Sequence, residues 1–146
     1  NGSGTIVLVK ESNFSSLIGT QIDMIAPNPD FITITGKRYN IKDFTEKPIL
    51  IANISGCTRR SYDQYKSLID RYSNRFHIIG IEDDIKENLG GLMVDVSDSV
   101  NNDFYVNYRN AYSSYDCYLI NEEKRIIDKF DVFDWEAAIS KHFDNK

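Results

Sequence analysis

The stretch Pro48–Tyr72, PILIANISGCTRRSYDQYKSLIDRY, decides the fold. Ile49 to Ile54 form an apolar run interrupted only by Asn53, rich in β-branched residues and bounded by Pro48. Such a run reads as a buried central strand. Ser55-Gly56 ends it, and a helical pattern follows. Tyr62, Tyr65, Leu68, Ile69 and Tyr72 recur at steps of three and four, so they share one helix face. Cys57 stands at the strand-to-helix junction. The first turn of a helix leaves N–H groups unpaired, and these together with the helix dipole favour an anion. A thiolate is such an anion, so the position favours a nucleophilic cysteine. Arg59 and Arg60 add positive charge one turn away, and Gly56 leaves the approach open. The competing reading is a junction cysteine that only fills space.

Outward from this stretch, the pieces fall in a simple order. On the N-terminal side, Ala26-Pro27-Asn28-Pro29 excludes a helix and forces an extended path. Ile32 and Ile34, then Tyr39 and Ile41, flank Gly36-Lys37 as a short hairpin. On the C-terminal side, Phe76 to Ile81 is a second buried strand, parallel to the first in a strand–helix–strand unit. Glu82 to Asn88 is acidic and predicts a short helix, ended by Gly90-Gly91. Leu92 to Val96 reads as a strand, and Asn101 to Tyr108 as a helical segment. Arg109 to Asp116 reads as polar loop. Cys117 to Ile120 and Arg125 to Phe130 form a hairpin across Asn121–Lys124. Asp134 is the candidate N-cap of a last helix with Trp135, Ala138, Ile139 and His142 on one side.

Strand, small residue, Cys, two variable residues and an amphipathic helix together resemble the thioredoxin fold. With its flanks, the chain resembles the TlpA/ResA-like thiol-disulfide oxidoreductases of the redoxin group, which includes the peroxiredoxins. The likeness runs from Leu17 to Phe143 and rests on the order of the pieces. It implies an α/β fold, a mixed central β-sheet of four or five strands flanked by helices, with an N-terminal β-hairpin extension. In that family a Cys-x-x-Cys motif opens the first long helix, usually after a Trp. Here Cys57-Thr58-Arg59-Arg60 keeps the first cysteine, has Arg60 in place of the second, and has Gly56 where the Trp belongs. A cis-proline normally faces the active cysteine, just before the strand matched by Tyr118-Leu119-Ile120. Ser114, Tyr115 or Asp116 takes its place here, and without proline a cis bond costs about 3 kcal/mol, so a trans bond is expected.

The resemblance therefore implies thiol-disulfide chemistry run by the single thiol of Cys57. Arg60 holds the thiolate or a substrate carboxylate, or is a solvated helix residue. Gly56, Thr58, Arg59, Tyr115 and Asp116 line the substrate side. Cys117, at the start of the strand after the docking loop, is the candidate resolving cysteine, or else a core residue. A Cys57–Cys117 disulfide requires Cα atoms within about 7 Å. The implied partners are a protein thiol or disulfide and a separate redox partner, in an extracytoplasmic location with a membrane anchor in the full-length protein. The alternative is a catalytically inactive thioredoxin-fold domain that binds a peptide or protein. A thiol peroxidase is the third reading. It lacks the family's Thr at Ile54, has an Asn one residue out of place at Asn53, and finds no match for the Gln and Trp partners in Gln64 or Trp135.

Whole-chain properties narrow the classes. The 146 residues suit one domain, expected as residues 17–146 behind an extension of residues 1–16. The opening Asn-Gly-Ser-Gly resembles a remnant of processing or cloning, and Thr5 to Val9 is either an edge strand or the stub of an anchor. A net charge of −5 with scattered Lys and Arg disfavours nucleic acid and anionic membrane. Two cysteines sixty positions apart are neither a disulfide scaffold nor a zinc pattern, so no metal and no cofactor is expected. No interface signal stands out, and the domain is expected to be a monomer.

Overall fold

A computed structural model describes residues 16–54, 59–108 and 117–144. The candidate edge strand at Thr5–Val9 and the loop 109–116 lie outside the described residues. A small antiparallel hairpin comes first, β1 (Phe31–Ile32) and β2 (Arg38–Tyr39), paired Phe31 to Tyr39. Gly36 sits between them at φ 88°, a left-handed turn position that suits glycine. The central strand β3 (Ile49–Asn53) is next, followed by α1 (Arg59–Tyr72), β4 (His77–Glu82) and β5 (Leu92–Asp95). A 3-10 turn leads into α2 (Asn102–Tyr108), then come β6 (Cys117–Ile120), β7 (Ile126–Phe130) and α3 (Trp135–Ile139), which continues as a π-helical turn to Asp144.

Five strands form one mixed sheet in the order β5-β4-β3-β6-β7. β3, β4 and β5 are parallel, while β6 runs antiparallel to β3 and β7 antiparallel to β6. This is a thioredoxin-like α/β arrangement with the hairpin as a separate two-stranded unit, as expected from the sequence. Both edges of the sheet are partly covered. Ile34 N–H donates to Met93 O at 3.0 Å along β5, and Asp23 N–H donates to Ile126 O at 2.8 Å along β7. Covered edges resist pairing with other chains.

Alternation along the strands builds two cores. Leu50, Ala52, Ile54, Cys117 and Leu119 point to one face, where they meet Tyr65, Leu68 and Tyr72 of α1 and Trp135, Ala138 and Ile139 of α3. Ile49, Ile51, Ile79, Ile81, Val94, Tyr118 and Ile120 point to the other, against Phe104 and Tyr108 of α2 and Phe31, Ile41 and Phe44 near the hairpin. β3 is therefore buried on both faces from Ile49 to Ala52, which explains the apolar run there. The buried face of α1 is the one its three- and four-residue spacing predicts, with Tyr62 and Ile69 at its rim. Gly80 has a specific duty here: a Cβ on it would lie 2.6 Å from Tyr65 Oη. That hydroxyl reaches past the strand to donate to Gly90 O at 2.9 Å.

Two local expectations are corrected. Residues 83–88 form no helix; they follow a bend with Asp84 at φ 53°. The carboxylate of Asp95 accepts from Asp84 N–H and Ile85 N–H at 3.0 Å each, which captures donors that a helix would leave open. Asp134 does precede α3, but its side chain makes no cap bond; it closes a 3-10 turn over Val132–Asp134 instead. Trp135 anchors that helix. Its indole N–H donates to Gln64 Oε1 at 3.0 Å, and its ring meets Tyr72 edge-on at 5.3 Å.

Candidate active site

The C-terminal ends of β3 and β4 and the start of α1 form one corner of the molecule. Ligands of open α/β sheets bind outside such strand ends. β3 enters this corner through Asn53 and Ile54, and Ile54 N–H donates to Ile81 O at 2.8 Å, so the parallel pairing extends one residue past the strand. Asn53 Nδ2 donates to Tyr108 O at 3.0 Å and ties the same strand end to α2. α1 begins at Arg59. Cys57 lies between these two fixed points in the chain, two residues before the helix. Ser55, Gly56, Cys57 and Thr58 fall outside the described residues, as do Tyr115 and Asp116. Arg59 and Arg60 open α1, whose first turn contains no acidic residue.

Cys117 is fully buried as the first residue of β6, with its Cα opposite Ala52. That partner is five residues before Cys57 in the chain. The side chain belongs to the core facing α1 and α3, and a buried cysteine behaves as a small apolar residue. His77 and His142 are elsewhere: His77 packs against Phe44, and His142 pairs with Asp128 at 2.9 Å on the far edge of the sheet. Gln64 is used by Trp135 inside the core.

A carboxylate that the sequence placed at the start of an acidic, helix-forming segment is inside the corner. Glu82, the last residue of β4, is only 5% exposed, and its Oε1 accepts a hydrogen bond from Tyr62 Oη of α1. Its strand partner is Asp95, whose carboxylate also accepts from Ser97 Oγ at 2.6 Å and Ser97 N–H at 3.0 Å. Partial burial pushes Asp95 up, but these bonds and those from Ile85 and Asp84 outweigh it and hold the carboxyl below its usual range. Glu82 directly follows the apolar run Phe76–Ile81 and falls on the same face of β4 as Ile78 and Gly80. Among the described residues no cluster of three or more His, Cys, Asp or Glu is arranged to hold a metal, and no helix is long and apolar enough to cross a membrane.

No family model matches this sequence, and no curated protein does. Solved structures do. The thioredoxin domain of a thiol-disulfide oxidoreductase from Bacteroides vulgatus superposes with a TM-score of 0.61 at 18% identity, covering 86% of this chain and 98% of that one. A thiol:disulfide interchange protein from a Bacteroides species gives a TM-score of 0.64 at 17% identity over 88% and 92%. The mitochondrial 2-Cys peroxiredoxin of Plasmodium falciparum gives 0.59 at 11% identity over 86% and 98%. At these identities the likeness is one of fold.

Proposed function

We propose that this domain is a thiol-disulfide oxidoreductase that works through one cysteine, Cys57. The observation that carries the reading is the place of Cys57 in a chain with a thioredoxin-like sheet. It falls between the end of the central parallel strand and a helix that opens with Arg59 and Arg60. A thiolate at that point gains from the helix N-terminus and from the two guanidinium groups. Several solved structures of the same fold are described as thiol-disulfide oxidoreductases or interchange proteins, which supports the same chemistry here.

In the proposed step the Cys57 thiolate attacks one sulfur of a protein disulfide. The substrate S–S bond breaks, a Cys57–substrate S–S bond forms, and the other substrate sulfur leaves as a thiolate that takes a proton from water. A thiol of a separate redox partner then attacks the Cys57 sulfur and releases the reduced substrate, and a second such thiol frees Cys57 as the partner becomes a disulfide. Cys117 replaces the first partner thiol if β6 opens, forming Cys57–Cys117. Its complete burial favours the external thiol. Arg60 steadies the thiolate, while Gly56, Thr58, Arg59, Tyr115 and Asp116 form the docking side. An extracytoplasmic, membrane-facing setting belongs to the same proposal.

Reduction of insulin by dithiothreitol is the test. Turnover above background with the wild type and with Cys117→Ser, lost in Cys57→Ser, is the expected result. Wild-type turnover no higher than that of Cys57→Ser would remove the enzymatic reading. It would leave a domain that binds a peptide or protein with the altered cleft, a reading that the arginine in the second-cysteine position also favours.

A further inference from the structure

The N-terminal hairpin does more than cover the edge of β5. Between it and the 3-10 turn before α2 lies a cavity of about 350 Å³, within the size range of small-ligand sites. It stands at the C-terminal end of β5, on the side of the sheet where open α/β folds hold their ligands. Its walls are fixed in advance. Asn101, 2% exposed, bonds both the N–H and the O of Ile32 on the hairpin and donates to Asp95 O on the strand. Thr33, 5% exposed, donates its N–H to Lys37 O at 2.9 Å across the hairpin turn.

Two kinds of side chain line this space. Ile32 and Ile34 are apolar, and Ile34 is left 39% exposed. The charged residues of the lining are both acidic, Asp95 and Asp98, and no Lys, Arg or His stands among the described residues there. Asp95 accepts from four donors that hold its carboxyl below the usual range, so it is ionised at neutral pH. Asp98 Oδ1 accepts from Val100 N–H at 3.1 Å, and its Oδ2 makes no hydrogen bond among the described residues. An apolar wall beside two acidic residues complements a molecule with an alkyl body and a cationic head. An extended peptide is a poorer match. To pair with the β5 edge it would have to displace Ile34 N–H from Met93 O, where it donates at 3.0 Å.

We propose that this cavity binds a small primary alkylammonium ion, with its chain against Ile32 and Ile34 and its ammonium group donating to the Asp98 carboxylate. The site does not rest on the reading of Cys57. The test is a titration of the isotope-labelled full chain with n-butylammonium chloride near neutral pH and at constant ionic strength, followed through the amide resonances of Ile34, Gly36 and Val100. Saturable shifts centred on these residues are expected, with none from butyrate or butanol. Asp98→Asn keeps an acceptor for Val100 N–H and removes the charge, and is expected to weaken binding about three- to tenfold. Glu122→Gln makes the same change of net charge in the exposed turn after β6, at the opposite end of the sheet, and is expected to leave the affinity unaltered. Ile34→Ala, at an exposed position, gives a second and independent reading, with binding expected to weaken about threefold from the lost apolar contact. Absence of saturation, an equal response to butanol or butyrate, or the same affinity in Asp98→Asn and Glu122→Gln overturns the site. Unchanged affinity in Ile34→Ala overturns the apolar contact on which the choice of an alkyl amine stands. Tighter binding of a glycine-flanked lysine pentapeptide than of butylammonium overturns the small-ligand assignment and gives the cavity to a protein partner.

Discussion

Asp95 shows how much one carboxylate can organise. It holds the backbone of Asp84, Ile85 and Ser97, and its own backbone oxygen accepts from Asn101 Nδ2 at 2.9 Å. Because its folded-state carboxyl titrates below the ordinary range, the unfolded chain takes up the proton first as pH falls. The stability it contributes is thus fully present above about pH 5 and is lost as pH drops through the folded-state value. Asp95→Asn keeps one acceptor and loses the charge. At this partly buried site, with solvent screening, the loss at pH 7 is about 1 kcal/mol. Urea unfolding at pH 7 and again near pH 3 checks this: the gap between wild type and variant should narrow in acid. The same residue explains a failure of sequence reading. Glu82 to Asn88 has the composition of an acidic helix, and nothing local says that a side chain ten residues on will seize its N–H groups. Glu82 was hidden for a related reason, since composition cannot show which member of an acidic run still belongs to the strand.

At the scale of elements, the readable parts were those whose own periodicity matches their burial. β3 is apolar from Ile49 to Ala52 because both faces are covered there, and α1 repeats at three and four because one face is. Cys57 is proposed from the same pattern, as the residue at which one period gives way to the other, and lies outside the described residues. The hairpin was legible from its turn, but not what holds it. Asn101, 2% exposed, accepts from Ile32 N–H at 2.8 Å and donates to Ile32 O at 3.1 Å, clipping β1 to the start of α2. Sixty-nine residues separate the two partners, so no local pattern reveals the clip. Asn101→Ala removes both of these bonds and the one to Asp95 O, and leaves those backbone groups without them, a cost of about 1–3 kcal/mol. Hydrogen exchange should show it locally: the Ile32 amide and its neighbours in the hairpin speed up more than the amides of β3 and β4. Uniform acceleration across the sheet would mean that the hairpin has no separate stability.

Across the whole molecule, the unusual feature is that β3 is completed from two directions. Its parallel neighbour β4 follows after one helix, but its antiparallel neighbour β6 arrives only at Cys117, after β5 and α2. Ile120, the end of β6, lies 67 residues beyond Asn53, the end of β3 (120 − 53). A ribosome adding about 5–20 residues per second needs roughly 3–13 s to cover that distance. Through that interval one flank of the most apolar strand has no partner, and the nascent chain carries an adhesive ribbon that only its own later hairpin can mask. A chain terminated after Asp116 freezes this stage. It should form aggregates that scatter light, and bind a chaperone that recognises extended apolar segments, while the full chain escapes both. Delivery of this protein in active form is then a race between translation and self-association, decided by how quickly Cys117 to Phe130 reaches the waiting strand.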